Sequence, residues 1–301
     1  MCKDCYLIKP SDKLSNNLLR LFCFFDIFKH PLSFWELKTY LGLLNKNSGT
    51  ILIDKLNELV RNNYLTFYQG FYCLKDREEN IDTRRRRYNY YQRKLKKAKL
   101  FAKIFSILPY VKMISLVNVF GSFNLKDEGD IDFFIITSSK RIWLSRLYCA
   151  GIAKLLNSRP NRIRKKDKIC LSFYLTENNL NISKLKLKDG DPYFDFWQTD
   201  MDVLFDRGGY FKKLTDVNDN YLNKSFENTE EKGDKSILNK LEKFAKYFQL
   251  KIMPKALKEE AKNKKGVIIN DNILKLYLFD KRLSIRETYE QKIRKFISEN
   301  N

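Results

Sequence analysis

The stretch "NVFGSFNLKDEGDIDFFIIT", residues 118–137, contains two acids separated by one apolar residue at the head of an apolar run. On an extended chain successive side chains alternate faces. Asp130 and Asp132 therefore share one face, about 7 Å apart along the strand, while Ile131 and Phe133 point into a core. No basic residue stands two positions away to pair with them. Two such carboxylates suit a divalent cation, since magnesium takes carboxylate oxygens together with substrate phosphates. Gly121-Ser122 directly follows the preceding apolar run, where a turn aims N–H groups and a hydroxyl at an anion. A cation-holding pair beside an anion-holding turn is the equipment of metal-assisted phosphoryl or nucleotidyl transfer. The plainer reading of the same letters is a charged strand end after a chance turn.

The elements that must hold these residues read as α/β material. Val111–Phe120 and Ile131–Thr137 have strand patterning, residues 140–156 an amphipathic helix, and "KICLSFYLT", 168–176, a third strand. Ahead of them, Leu18, Leu21, Phe22, Phe25 and Phe28 recur at helical spacing. Ser33 stands three residues before Glu36, a capping box that opens a second helix. Leu52, Leu56, Leu59 and Val60 mark a third helix, and "YLTFYQGFYCL" reads as a hairpin about Gln69-Gly70. Three helices and a hairpin resemble a winged helix, which docks protein or binds nucleic acid through its third helix, here bearing Lys55, Asn57 and Arg61. One long helix is expected from Asp76 to about Ile107, basic on much of its surface. From Pro192 onward the pattern is mainly helical, with a basic amphipathic stretch from Ser236 to about Lys264 and a final helix near 284–298. "KGVIINDNILKLYLFDKR" is ambiguous. The expected organisation is a winged-helix-like unit (14–75), a basic linker helix (76–107), an α/β core (108–190) and a helical C-terminal region (191–301). The fold class is α+β.

Composition bounds the function. The chain has 301 residues, 44% hydrophobic and 14% aromatic, enough for sizeable cores. No apolar run approaches a membrane span and no signal peptide is evident at the start, so a cytoplasmic, non-membrane protein is expected. A formal charge of +22, from 58 Lys+Arg against 36 Asp+Glu, favours polyanionic partners. Two runs concentrate it, Arg84–Lys99 and Arg159–Lys168; a solvated basic face is the plain alternative. Cys2 and Cys5 form a lone CxxC without further ligands nearby, and the other four cysteines lie in apolar stretches as small core residues. His30 is the single histidine, which removes His-based triads. It stands before Pro31, where a helix-capping or solvent role is expected.

The GS…DID pattern between apolar strands resembles the catalytic signature of the polymerase-β-like nucleotidyltransferase superfamily. The stretches "DIDFFIITSSKRIWLSRL" and "ICLSFYLTENNL" look like uncharacterised bacterial nucleotidyltransferase-domain proteins. The resemblance covers about residues 110–180. It implies a small mixed-sheet core that transfers a nucleoside monophosphate from a nucleoside triphosphate to a hydroxyl acceptor. It assigns Mg²⁺ (or Mn²⁺) to Asp130 and Asp132 and the triphosphate to Gly121 and Ser122. Lys140 and Arg141, after the second strand, offer extra phosphate charge, with the start of a surface helix as the plainer reading. RNA or tRNA, a protein or a small molecule would serve as acceptor, and the winged-helix-like unit would engage nucleic acid or a protein partner. Two features depart from the pattern. The loop between Ser122 and Asp130 is short, and the superfamily's third carboxylate is missing from the strand 168–176. Simple alternation there puts Cys170, Ser172 and Tyr174 on the polar-facing side. Glu177, at the strand's end, is the first expected substitute, ahead of Asp167. The alternative function is a catalytically degenerate transferase fold that only binds nucleotide or nucleic acid.

Overall fold

The computed structural model describes residues 13–43, 48–121, 123–161, 163–218, 236–262 and 266–299. Ser122, Cys2 and Cys5 lie outside the described residues, as does Arg162 of the second basic run. The chain opens with α1 (Lys13–Ile27), a short β1 (Leu32–Ser33), α2 (Phe34–Tyr40) and α3 (Ser48–Arg61). Both halves of the expected capping box form at the start of α2. The Ser33 hydroxyl accepts from the Glu36 N–H, and the Glu36 carboxylate accepts from the Ser33 N–H at 2.8 Å. Next come β2 (Leu65–Tyr68) and β3 (Phe71–Leu74), joined through Gln69 and Gly70 with φ of 51° and 85°. Positive φ at both central residues matches the twist of the flanking strands. β1 adds to β3, giving the three-stranded order β1-β3-β2 and the element order of a winged helix.

α4 (Glu79–Phe105) is the long helix. It is tied to the body through its basic residues as well as its apolar stripe. Arg84 donates to Glu36 at 2.7 Å, and Arg87 donates to the Asn124 side chain at 2.6 Å. Arg93 pairs with Asp127 and Asp167, while Lys94, fully buried, donates to the Gly129 carbonyl and pairs with Asp167 at 2.8 Å. Much of the charge between Arg84 and Lys94 that looks like a polyanion track is consumed inside the protein.

The remaining elements are β4 (Val111–Leu116), β5 (Ile131–Thr137), α5 (Ile142–Leu155), β6 (Ile169–Thr176), α6 (Pro192–Thr199), β7 (Asp202–Asp206), α7 (Tyr210–Asn218), α8 (Ser236–Ile252), α9 (Lys255–Lys262), β8 (Ile268–Ile269), β9 (Ile273–Lys275) and α10 (Arg282–Glu299). The C-terminal region is mainly helical, as expected, but it also supplies three strands. β7, β8 and β9 all enter the central sheet, whose order is β7-β4-β5-β6-β9-β8. The ambiguous stretch after Lys264 is the β8–β9 hairpin. β4 and β5 run antiparallel, but α5 carries the chain over to β6 parallel to β5, so the sheet is mixed and the fold is α+β.

Helices cover both sheet faces, which is why β5 is apolar on both sides. Ile131, Phe133 and Ile135 face α4 and α5 with Phe105, Trp143 and Tyr174. Phe134 and Ile136 face the N-terminal helices, in one cluster with Phe24, Phe25, Phe173 and Trp197. That second cluster runs unbroken from α1 to α10, so the core crosses the boundaries read from sequence. α8 docks on α5 by a capping contact. The Glu242 carboxylate accepts from the Trp143 and Leu144 N–H groups, both at 2.8 Å, closing the start of α5.

Candidate functional site

Alternation along β5 places Asp130 and Asp132 on the same side, as their spacing requires, and both open into a cavity of about 430 Å³. The parallel register sets Asp132 opposite Cys170. Donor atoms of Asp130, Asp132 and Cys170 all lie within 4.8 Å of one another. The rest of the cavity wall includes Asn118, Tyr193, Tyr277, Phe279, Lys165 and Lys281. Asp280 also lines it but is neutralised by Lys275 and Arg282, at 2.8 and 2.6 Å. Among the described residues, Asp130 accepts no hydrogen bond and has no ion-pair partner.

The electrostatics follow from this crowding. Burial, and then the neighbouring Asp130 charge, push the Asp132 carboxyl up to about 6, while Asn118, Cys170 and Lys281 pull the other way. Burial raises the Cys170 thiol well above its ordinary range, and the Asp132 and Asp130 charges add to that. Cys170 is therefore a neutral thiol, 3.1 Å from the Ser172 hydroxyl. The oxygen donors fit a hard divalent cation that completes its shell with water and phosphate. A protonated thiol does not add a third anionic ligand.

Three sequence-derived placements need correction. Glu177 is not near the carboxylate pair. β5 and β6 are parallel, so the end of β6 pairs with the end of β5, Thr176 opposite Thr137. Glu177 thus lies beyond some five residues of strand, roughly 16 Å, from Asp132. There its carboxylate accepts from the Ser139 N–H at 3.0 Å and from the Tyr210 hydroxyl. Lys140 sits at the same far end, exposed, just ahead of α5, which removes it as a phosphate contact for the pair and fits the reading of a surface helix start. Gly121 lies beside a different cavity, with Tyr40 and Asp200. Its N–H donates to Asp200 at 3.0 Å instead of pointing at an open anion site. Burial pushes the Asp200 carboxyl up to about 6, against the bonds from Tyr40 and Gly121. Gly121 has φ of +91°, and a Cβ there would come within 2.3 Å of the His30 ring. His30 accordingly has no capping or solvent role. It is buried against Gly121, with Glu36 at 3.2 Å and Arg84 at 3.0 Å. Burial lowers its pKa to about 4, with Glu36 opposing and Arg84 reinforcing the shift.

The third-carboxylate position also differs from simple alternation. A bulge between the Asp132 and Phe134 pairings inserts a residue in β6, so Phe173 and Leu175 join the cluster facing the N-terminal helices. Tyr174 turns to the opposite face. Asp167, the other substitute, is held by Arg93 and Lys94. Sequence reasoning put Cys170 on the polar-facing side of its strand without a role, and did not assign Asn118, Tyr193, Tyr277, Lys165 or Lys281 to the cavity. A usable signal existed for Cys170, because a strand–helix–strand unit of this length implies parallel strands and hence a start-to-start register. No known protein family matches the chain, and no curated protein or solved structure does.

Proposed function

We propose that the cavity binds a nucleoside triphosphate with a divalent cation and transfers its nucleoside monophosphate to a hydroxyl acceptor. The observation that carries this reading is the carboxylate pair, without a cationic ion-pair partner among the described residues, facing a cavity whose rim also holds Lys165 and Lys281. Like charges so close repel, and a cation with bound phosphates would relieve that repulsion. Mg²⁺ or Mn²⁺ held by Asp130 and Asp132 would supply charge neutralisation at the triphosphate and Lewis acidity at its α-phosphate.

The chain's own groups have the remaining tasks. Lys165 and Lys281 hold the β- and γ-phosphates, in place of the Gly121 turn. Phe279, 84% exposed at the rim, offers the base a stacking surface. The acceptor oxygen bonds to the α-phosphorus as the bond to the bridging oxygen breaks, and pyrophosphate leaves with that electron pair. The acceptor's proton goes to a carboxylate of the pair, because Asp280 is already held by two cations. This activity would put the protein in the cytoplasm, where nucleoside triphosphates are. Among the described residues no helix is long and apolar enough to cross a membrane.

A specific observation favours a second reading. Cys170 occupies the register position opposite Asp132, and a neutral thiol is a poor ligand for magnesium and a poor proton acceptor. A retired transferase fold that binds nucleotide would look the same. Incubation with α-labelled nucleoside triphosphates, Mg²⁺ or Mn²⁺, and total cellular RNA and protein separates the two. Label on an acceptor, lost in Asp130→Asn, supports transfer. Metal-dependent nucleotide affinity with no labelled acceptor supports the binder. Absence of metal-dependent nucleotide affinity refutes both.

A further inference from the structure

The basic amphipathic stretch that begins at Ser236 supplies no residue to the carboxylate cavity. It forms α8, whose surface divides into three stripes. Glu242, Ala245 and Gln249 face the protein. Glu242 closes the start of α5, Ala245 is buried in the α5 cluster, and Gln249 donates to the Trp143 carbonyl at 2.7 Å. Ile237, Leu241, Phe244, Phe248 and Ile252 recur every three or four residues and form a second stripe, about 22 Å long. All five are exposed, from 40% at Phe248 to 74% at Ile237. The Phe244 and Phe248 rings lie side by side, with centroids 6.3 Å apart and planes 14° from parallel. Lys240, Lys243, Tyr247 and Lys251 make the third stripe, beside the apolar one and also exposed. Single exposed apolar residues need no explanation, but a continuous apolar face marks a contact surface.

The charges beside this face identify what it contacts. Among the described residues, Lys240, Lys243 and Lys251 have no carboxylate partner. The one acid of α8, Glu242, is used by α5. The exposed face of α8 therefore offers cations and apolar groups but no anion. A second copy of the chain would set lysines against lysines with nothing to offset them. An acidic peptide would meet the charge. Besides the lysines, however, only Asn239 and the Tyr247 hydroxyl stand exposed on α8 to fix a peptide's register. A lipid surface needs no register. Lysine stems reach its phosphates while an apolar stripe enters the boundary of the acyl chains by about 5–10 Å.

We propose that α8 lies in the plane of an anionic membrane surface and attaches the protein there peripherally. Phe244 and Phe248 enter the boundary, and Lys240, Lys243 and Lys251 sit among the headgroup phosphates. This departs from the sequence-based expectation of a non-membrane protein without calling for a spanning helix, because an interfacial helix needs neither the length nor the hydropathy of one. Anionic lipid is enriched on the cytoplasmic leaflet, which agrees with nucleotide chemistry in that compartment. The contact uses no residue of the carboxylate cavity, so it goes beyond the transfer reading and does not depend on it.

The test is flotation of the full chain with vesicles of phosphatidylcholine containing about one quarter phosphatidylserine, compared with phosphatidylcholine alone. The wild-type protein should bind the anionic vesicles at least tenfold more tightly. Each lysine near such a surface contributes about fivefold, so Lys240→Gln/Lys243→Gln/Lys251→Gln should lose about a hundredfold. Phe244→Ser/Phe248→Ser keeps every charge and should lose at least tenfold, since two rings no longer enter the boundary. Lys96→Gln/Lys99→Gln/Lys103→Gln removes the same charge from exposed positions of α4 and should stay within about threefold of wild type. The substituted side chains are exposed, so all three variants should keep the wild-type urea midpoint. No binding to anionic vesicles, or equal loss in the α4 and α8 lysine variants, overturns the proposal. Binding that ignores the two phenylalanines also overturns it, because charge alone would then account for the contact. So does a dimer in sedimentation velocity that Phe244→Ser/Phe248→Ser abolishes, or binding of poly-glutamate or single-stranded RNA as tight as that of the vesicles; either result assigns the face to another occupant.

Discussion

Replacing Asp132 by Asn should make the cation-free protein more stable while removing its response to divalent metal. Two carboxylates with oxygens within 4.8 Å repel by roughly 3 kcal/mol at an effective dielectric constant of about 20. The proton affinity gives a similar figure. Moving the Asp132 carboxyl from 3.8 to about 6 corresponds to about 3 kcal/mol, to which burial contributes most and Asp130 next. The folded state binds this proton more tightly than the unfolded chain. Its contribution is therefore fully present below pH 3.8 and lost as pH rises through about 6. Asn has nearly the same volume and carries no charge, but it gives up one acceptor. The net gain at pH 7.5 should be about 1–2 kcal/mol, or about 1.5–3 °C in Tm for a chain of this size. At pH 5 the gap between variant and wild type should narrow. Saturating Mg²⁺ should invert it, since a ligand at a hundred times its Kd stabilises by about 2.7 kcal/mol and the variant has lost a ligand. Thermal and urea unfolding at both pH values, with chelator and with Mg²⁺, is the assay. A variant less stable than wild type in chelator, together with a wild type indifferent to metal, would show that Asp132 is a structural acceptor and refute the reasoning.

Glu177→Gln should leave metal-dependent nucleotide affinity unchanged and lower stability by about 1–2 kcal/mol, because Ser139 and Tyr210 lose a charged acceptor far from the pair; calorimetric titration plus urea unfolding reads both. Cys170→Asp should tighten Mn²⁺ binding at least tenfold at some cost in cation-free stability. If transfer is limited by a missing base, it should also raise turnover by about 10²–10⁴, and unchanged metal affinity would mean that the residue does not serve the pair. Gly121→Ala should cost about 2–4 kcal/mol, from a methyl driven into the His30 ring and from a backbone at φ of +91°. A denaturation midpoint equal to wild type would contradict that packing.

The sequence alone determined the features whose causes are local. Alternation with period two put Asp130 and Asp132 on one face, and the Ser33–Glu36 spacing placed the capping box that starts α2. Gln69-Gly70 marked the hairpin, since few residues adopt two successive positive φ angles. Tertiary structure decided what depends on which strands meet and in which direction. The crossover through α5 makes β5 and β6 parallel, which brings Cys170 to Asp132 and carries Glu177 to the far end of the sheet. The β6 bulge turns Phe173 toward the N-terminal helices, and no composition rule announces a bulge. Lysines and arginines look alike in a one-dimensional run. Only the fold separates Arg84, Arg87, Arg93 and Lys94, bound to internal acceptors, from Lys96 and Lys97, left facing a surface groove, and from Lys165, which lines the carboxylate cavity. The physical reason is that an ion pair or a register joins residues tens of positions apart, and its energy depends on distances that local sequence does not encode.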